Sequence, residues 1–90
     1  MSDRQLNVNI VAADRQLWSG AAKMVIANTA EGQIGLLPGH EPLLAILAPG
    51  EVKVTLEEGA PVLASVGEGG FLSMEHDTVT IVVREGQLVG

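Results

Sequence analysis

Val52-Lys53-Val54-Thr55-Leu56 is followed by Glu57-Glu58-Gly59-Ala60-Pro61 and then by Val62-Leu63-Ala64-Ser65-Val66. Successive side chains on an extended chain point to opposite faces. The first run therefore places Val52, Val54 and Leu56 on one face and Lys53 and Thr55 on the other. The second run is of strand length and carries β-branched residues. The five residues between them hold a Gly, a Pro and two acids, and read as a hairpin turn. Leu6-Asn7-Val8-Asn9-Ile10 repeats the alternation, with three aliphatics on one face and two amides on the other. Thr78-Val79-Thr80-Ile81-Val82-Val83 is β-branched throughout, and Glu75-His76-Asp77 before it reads as a further turn. Short strands at a spacing of roughly 8–12 residues predict an all-β sandwich or barrel.

Two segments leave the local structure open. Ala21 to Glu31 lacks Gly and Pro and has enough Ala for three helical turns. Strand is preferred for Lys23 to Asn28, because Met24-Val25-Ile26 is bulky and partly β-branched. Leu43-Leu44-Ala45-Ile46-Leu47 is too short for periodicity to separate a helical turn from a buried strand.

The chain has 90 residues and a mass of 9.4 kDa, enough for one domain spanning residues 1–90 and too little for two. Hydrophobic residues make up 47%, too many for a chain disordered by composition. Cys is absent, which excludes disulfide frameworks, zinc ribbons and thiol catalysis together. The longest stretches without a charged residue, such as Pro42 to Gly50, are nine residues long. A spanning helix needs about 20 apolar residues, so none is expected. Met1-Ser2-Asp3-Arg4-Gln5 has neither a basic start nor an apolar run, so no secretory signal is expected. Eleven acids against five bases give a net charge of −6, with Arg4, Arg15, Lys23, Lys53 and Arg84 scattered. Nucleic acid and anionic lipid both call for a basic cluster, so neither is an expected partner, while a basic protein surface stays open.

Catalytic groupings are weak. His40 and Glu41 are neighbours, and on a strand they would point to opposite faces, which argues against a shared metal site. His76 lies in an acidic turn and reads as solvated. No Ser sits in a Gly-x-Ser-x-Gly elbow. Gly32-Gln33-Ile34-Gly35 and Gly67-Glu68-Gly69-Gly70 lack the Lys-Ser/Thr of a phosphate loop, and Glu68 would repel phosphate. They read as tight turns or bulges. No metal and no cofactor are expected. Two other readings are carried: a biotinyl or lipoyl carrier domain modified at Lys23 or Lys53, and a small enzyme using His40 and Glu41.

The most distinctive stretch is Glu31-Gly32-Gln33-Ile34-Gly35-Leu36-Leu37-Pro38-Gly39-His40-Glu41-Pro42-Leu43-Leu44. Pro38-Gly39 is a turn in which preset φ is followed by permissive φ. Leu36, Leu37, Leu43 and Leu44 flank it, and some of them must pack beneath. His40 reads either as a hydrogen-bonding strut beside the turn or as part of a contact surface. Extended to Val54, this stretch resembles the signature of the ε subunit of F-type ATP synthases: a Gly, an Ile/Leu-rich pair, Pro-Gly-His, Pro-Leu-Leu, and a later Pro-Gly before a strand. Leu6 to Ala13 with Leu17-Trp18-Ser19-Gly20 resembles the family's opening strand and its aromatic-Ser-Gly turn. Gly69-Gly70-Phe71-Leu72 resembles its Gly-Gly bend, and Val79-Thr80-Ile81-Val82 its last long strand. The resemblance covers Leu6 to Val83.

The resemblance implies a flattened β-sandwich of about ten short strands and a non-catalytic central-stalk subunit. Its implied partners are the γ subunit and the membrane c-ring, with ring rotation coupled to ATP synthesis on other chains. The implied place is the cytoplasmic face of a bacterial plasma membrane, reached only through the complex. By the resemblance, Glu31, Gly32, Gln33, Gly35, Leu36 and His40 form a loop surface facing the c-ring. Ala12, Ala13, His40, Glu41 and Pro42 face γ. Gly35, Pro38, Gly39, Pro49, Gly50, Gly69 and Gly70 make structural turns. Many relatives have an acid where this chain has Gln33, which turns a charge-assisted contact into a neutral one. Relatives usually continue into a C-terminal helical hairpin, so hairpin-based inhibition is not expected of these 90 residues.

Overall fold

The computed structural model describes residues 4–89. They form ten strands: β1 (Leu6–Ala12), β2 (Arg15–Ala22), β3 (Met24–Thr29), β4 (Gly32–Leu36), β5 (Leu43–Ile46), β6 (Gly50–Thr55), β7 (Val62–Val66), β8 (Phe71–Glu75), β9 (Thr78–Val82) and β10 (Gly86–Val89). Two five-stranded sheets result, ordered β2-β1-β9-β8-β5 and β10-β7-β6-β3-β4. Every pairing is antiparallel except β1 with β9, which run parallel. Of the sandwich or barrel that the alternating runs predict, the fold is the sandwich that the resemblance implies.

Alternation explains which face each strand buries. Leu6, Val8, Ile10 and Ala12 of β1 are buried, and so are Val79 and Ile81 of β9 and Leu72 and Met74 of β8. From the other sheet come Val25 and Ala27, Val52 and Val54, and Ala64 and Val66. In register, Leu72, Ile81 and Ile10 lie side by side across three strands and present one apolar row to the opposite sheet. Leu17, Trp18, Ile34, Leu43, Leu56 and Val62 pack against this core from its margin. The two-residue register change opposite Ile10 and Val11 is a β-bulge, in which β2 accommodates Leu17 as an extra residue.

The turn expectations hold at two hairpins. Residues 56–61, which include the expected turn at 57–61, join β6 to β7, which pair antiparallel. His76 (φ 52°) and Asp77 (φ 62°) form a two-residue connection between β8 and β9. Positive φ at both central positions is the type I′ geometry, whose twist matches that of the flanking strands.

Two open segments are now assigned, and one reading is corrected. Residues 24–29 are strand, as preferred from Met24-Val25-Ile26; Lys23 is the bend where the chain passes from one sheet to the other. Residues 43–46 are also strand, but β5 is an edge strand rather than a buried one. Leu44 is 71% exposed and Ile46 61%. The reason is topological: β5 pairs with β8 on one side only, and one face of it meets no other layer. Of the leucines near the Pro-Gly turn, Leu36 is fully buried while Leu37 is 55% exposed.

Because Ile81 is fully buried between Ile10 and Leu72, Ile81→Ala should leave a cavity that the thin core fills poorly. The expected loss is about 2–5 kcal/mol, read as a lower urea midpoint with an unchanged slope. A loss below about 1 kcal/mol would show that the two sheets do not pack face to face at this row.

Candidate functional site

The residues expected to form one contact loop are divided by the fold between two ends of the sandwich. Ala30-Glu31 is the two-residue tip of the β3–β4 hairpin, where Thr29 pairs with Gly32. Gly32, Gln33 and Gly35 belong to strand β4, not to a loop, and all three are exposed. Gly35 makes no turn; it pairs with Ile26 within the sheet. Leu36 faces inward and is fully buried, so it cannot belong to an outer contact surface. Ala12 is corrected likewise: it is 4% exposed, on the inward face of β1, while Ala13 in the following turn is exposed. Alternation decides both cases: Ala12 shares its face with the buried Leu6, Val8 and Ile10, and Leu36 shares its face with Ile34, which packs against the core.

At the tip end, one hydroxyl holds the hairpin. Thr29 Oγ1 donates to the Gly32 carbonyl at 2.7 Å and accepts from the Glu31 amide at 3.2 Å. The Ala30 amide donates to the Ile46 carbonyl at 2.9 Å, which ties the tip to β5. Glu31 therefore stands beside the exposed Leu44 and Ile46. Together they line an open groove of about 180 Å³ with Thr29, Ala30 and Ala45. Ile46 is paired with Phe71 of β8, which is paired with Val82 of β9, which is paired with Val11 of β1. Paired residues share a face, so these four make an apolar row across the outer side of the first sheet. Beside it runs a polar row of Ser73, Thr80 and Asn9.

At the opposite end lie Pro38, Gly39, His40, Glu41 and Pro42. Strand β4 separates them from the tip, about 13 Å for four rises. Leu37-Pro38-Gly39-His40 is a type II turn: the His40 amide donates to the Leu37 carbonyl at 3.1 Å, and Gly39 has φ 88°. In such a turn the central amide points away from the closing bond. That amide, Gly39 N–H, donates to Asp77 Oδ1 at 2.7 Å. The other carboxylate oxygen accepts from Arg4 Nη2 at 2.7 Å and Nε at 3.2 Å. His40 is exposed, and its Nδ1 lies 2.7 Å from the Glu41 carbonyl. A carbonyl only accepts, so Nδ1 carries the hydrogen and Nε2 of the neutral ring is left as an acceptor toward solvent.

The other turn residues sort in the same way. Pro49 and Gly50 lead into β6, and Gly69 (φ 89°) takes the bend before β8. Gly70 serves close packing rather than a turn: a Cβ there would lie 2.7 Å from the Val82 carbonyl oxygen. Lys23 stands at the bend between sheets, with its amide bonded to the Thr55 carbonyl at 2.8 Å. Lys53 lies within β6. Neither occupies a hairpin tip, where a carrier lysine would need to be. His40 and Glu41 lie in a loop rather than a strand. Among the described residues, no three His, Cys, Asp or Glu side chains are grouped so as to hold a metal ion.

Alternation and turn rules do not predict Arg4, Thr29 or the Asp77 bond to Gly39. The Leu44–Ile46–Phe71 surface was equally hidden, because the outward side of an apolar run depends on which layer covers it. A Thr two residues before a Glu-Gly pair is a signal for a hydroxyl-held turn. No local signal joins Asp77 to Gly39 across 38 positions.

Two measurements check this end. The Gly39 amide bond, then the Arg4 guanidinium, hold the Asp77 carboxyl below its ordinary value, with His76 adding a little and burial opposing. A lowered folded value contributes stability that is complete above the ordinary carboxylate range and lost as pH falls through the lowered value. Acid titration of the unfolding midpoint should therefore show a loss in wild type below about pH 4 that Asp77→Asn lacks. Identical acid limbs would show that the carboxylate is not held in the folded state. Gly39→Val should lower the melting temperature, because a β-branched residue at φ 88° is strained. Unaltered stability would place position 39 at ordinary φ.

Residues 5–88 match the family described as the ATP synthase Delta/Epsilon chain β-sandwich domain. The ATP synthase epsilon chain of Micrococcus luteus is 49% identical over 84 residues, covering 93% of this chain and 91% of that one. That of Streptomyces griseus is 44% identical, covering 93% of this chain and 67% of the relative. Among solved structures, a chain of the Euglena gracilis mitochondrial ATP synthase OSCP/F1/c-ring assembly superposes with a TM-score of 0.85 at 26% identity. The match covers 98% of this chain and 58% of that one. A chain of the Tetrahymena thermophila central stalk and c-ring shares the fold at a TM-score of 0.73 and 16% identity, covering 96% of this chain and 68% of that one. Ten short strands in two sheets, the Pro-Gly-His turn and this degree of identity lead to one conclusion: the chain belongs to the ATP synthase epsilon family, as its β-sandwich domain.

Proposed function

We propose that this chain works as a non-catalytic central-stalk subunit of a proton-translocating F-type ATP synthase. It binds the γ subunit and the c-ring, and so couples ring rotation to ATP synthesis on other subunits. In this reading residues 1–90 act as one domain, held at the cytoplasmic face of the plasma membrane only through the complex. The observation that carries the reading is the outer face of the first sheet, where Leu44, Ile46 and Phe71 are exposed side by side on β5 and β8. Exposed apolar surface of this kind marks a protein contact. The names of the relatives, and a solved neighbour at 26% identity described as an OSCP/F1/c-ring assembly, support a place in such a complex.

The division of the site into two ends supports two contacts rather than one. Glu31, Gly32, Gln33 and Gly35 would meet the c-ring, with Glu31 as the charged member. The outer face of the first sheet, from the apolar row near the tip to His40, Glu41 and Pro42 before Leu43 at the other end of β5, would meet γ. Ala13 closes the same face beyond Val11. The area is sufficient: a standard interface takes about 800 Å² from each partner. The described surface is 5351 Å², so two such contacts take under about a third of it. A net charge of −6 suits basic partner loops. A two-layer sandwich is also a stiff body, as transmitting torque requires.

Titration of the chain with purified γ subunit from the same source, followed by size exclusion and calorimetry, tests the reading. A one-to-one complex is expected. Leu44→Glu should weaken it at least about tenfold, while changing folding stability by no more than about 0.5 kcal/mol, since the side chain is exposed. A folded chain that binds neither γ alone nor γ docked on the c-ring would overturn the proposal.

A further inference from the structure

Asp77 closes the β8–β9 turn, 38 positions from Gly39, yet its carboxylate takes the one turn amide that the type II geometry leaves without a partner. The same carboxylate receives two donors from Arg4, which precedes β1. One side chain thus joins three separate parts of the chain at one end of the sandwich: the N-terminal arm, the β8–β9 hairpin and the 37–40 turn. The 37–42 segment has little else to hold it. Leu37 is 55% exposed, and Gly39, His40, Glu41 and Pro42 are all exposed. Its own backbone bond is the turn closure from His40 to Leu37. Asp77 is itself well placed to act as a fixed post: its side chain is only 19% exposed, and its backbone is set by the type I′ hairpin.

We infer that Asp77, steadied by Arg4, is the positioning residue for the His40-Glu41-Pro42 segment, presenting it in one conformation for partner binding. Asp77 does not touch the partner. It acts through the Gly39 amide, and the gain is a smaller ordering cost when the segment is bound. Only the link to partner binding rests on the function proposed above; the latch itself does not.

The test uses Asp77→Gly, which keeps a residue suited to positive φ in the hairpin and removes the side chain with its carboxylate. Asp77→Asn and Arg4→Ala grade the effect, since Asn retains an acceptor for Gly39 without the ion pair. Amide hydrogen exchange of the full chain is read first, without any partner. Gly39 and His40 should exchange at least about tenfold faster in Asp77→Gly, with the β1, β8 and β9 amides unchanged. Asp77→Asn and Arg4→Ala should fall between this variant and wild type. Affinity for γ, alone or docked on the c-ring, is then measured for Asp77→Gly and His40→Ala. Asp77→Gly should weaken binding about three- to tenfold, mostly by slower association, and His40→Ala should weaken it too. Unchanged exchange at Gly39 would overturn the latch. Faster exchange with unchanged affinity, where His40→Ala does bind more weakly, would overturn its role in presentation. If neither variant alters affinity, the segment is not a contact and the proposed function fails there. Positioning for binding then falls with it, while the exchange result still decides whether the latch exists.

Discussion

Two sheets of five short strands have one layer of side chains between them, and that layer sets the limits for everything else. Among the described residues the fully inward positions are filled by Ala, Val, Leu, Ile and a single Met, with no aromatic ring completely buried. Small side chains bring the sheets close and leave a core with little volume to spare. Hydrophobic burial of this size, about 25 cal/mol for each Å² removed from water, closely offsets the conformational entropy lost by so short a chain. A core of that kind holds the middle of the sandwich. Its ends are beyond the reach of apolar packing, and there the chain relies on hydrogen bonds.

Those bonds are few and specific. At one end the Thr29 hydroxyl closes the β3–β4 tip, and the Ala30 amide fastens it to Ile46. At the other, the Asp77 carboxylate takes the Gly39 amide and the Arg4 guanidinium. Each arrangement satisfies backbone groups that neither sheet pairs. An exposed ion pair alone contributes little. Here the carboxylate also fills an otherwise vacant amide, and its value lies in fixing one loop geometry more than in bulk stability.

The edge strand β5 brings structure and function together. It pairs on one side with β8 and is tied at its end to the hairpin tip, but one of its faces has no covering layer. Leu44 and Ile46 therefore stand in water, continuous with Phe71, Val82 and Val11 across the sheet. An isolated domain gains nothing from that exposure, whereas a subunit clasped against another chain gains the energy of burying it. The polar row of Ser73, Thr80 and Asn9 alongside gives the same face donors and acceptors.

Much of this was legible in the residues themselves. Alternation in Leu6 to Ile10, Val52 to Leu56 and Thr78 to Val83 shows strand and buried face at once, because a side-chain period of two is a local property of the backbone. Gly39 after Pro38 announces positive φ for the same reason. Other features were not local. Leu43 to Leu47 reads as a helical turn or a buried strand, yet topology makes Leu43 to Ile46 an edge strand and leaves only Leu47 buried. Gly32 to Leu36 looks like a glycine loop, yet pairing with β3 makes it a strand and turns Leu36 inward. Ala12 reads as a surface residue from the family resemblance, yet it shares a face with Ile10. Strand order decides which edges are free, and strand direction decides which ends meet. The residues that look like one contact loop are therefore divided between two ends of the molecule, and Asp77 reaches Gly39 across 38 positions. Local periodicity determined β1, β6, β7 and β9, the core residues they carry and the turns at residues 57–61 and 76–77, and bulky residues favoured β3; the other strands, Leu17 to Gly20 within β2 among them, and what the surface presents were decided by long-range pairing, which no short window contains.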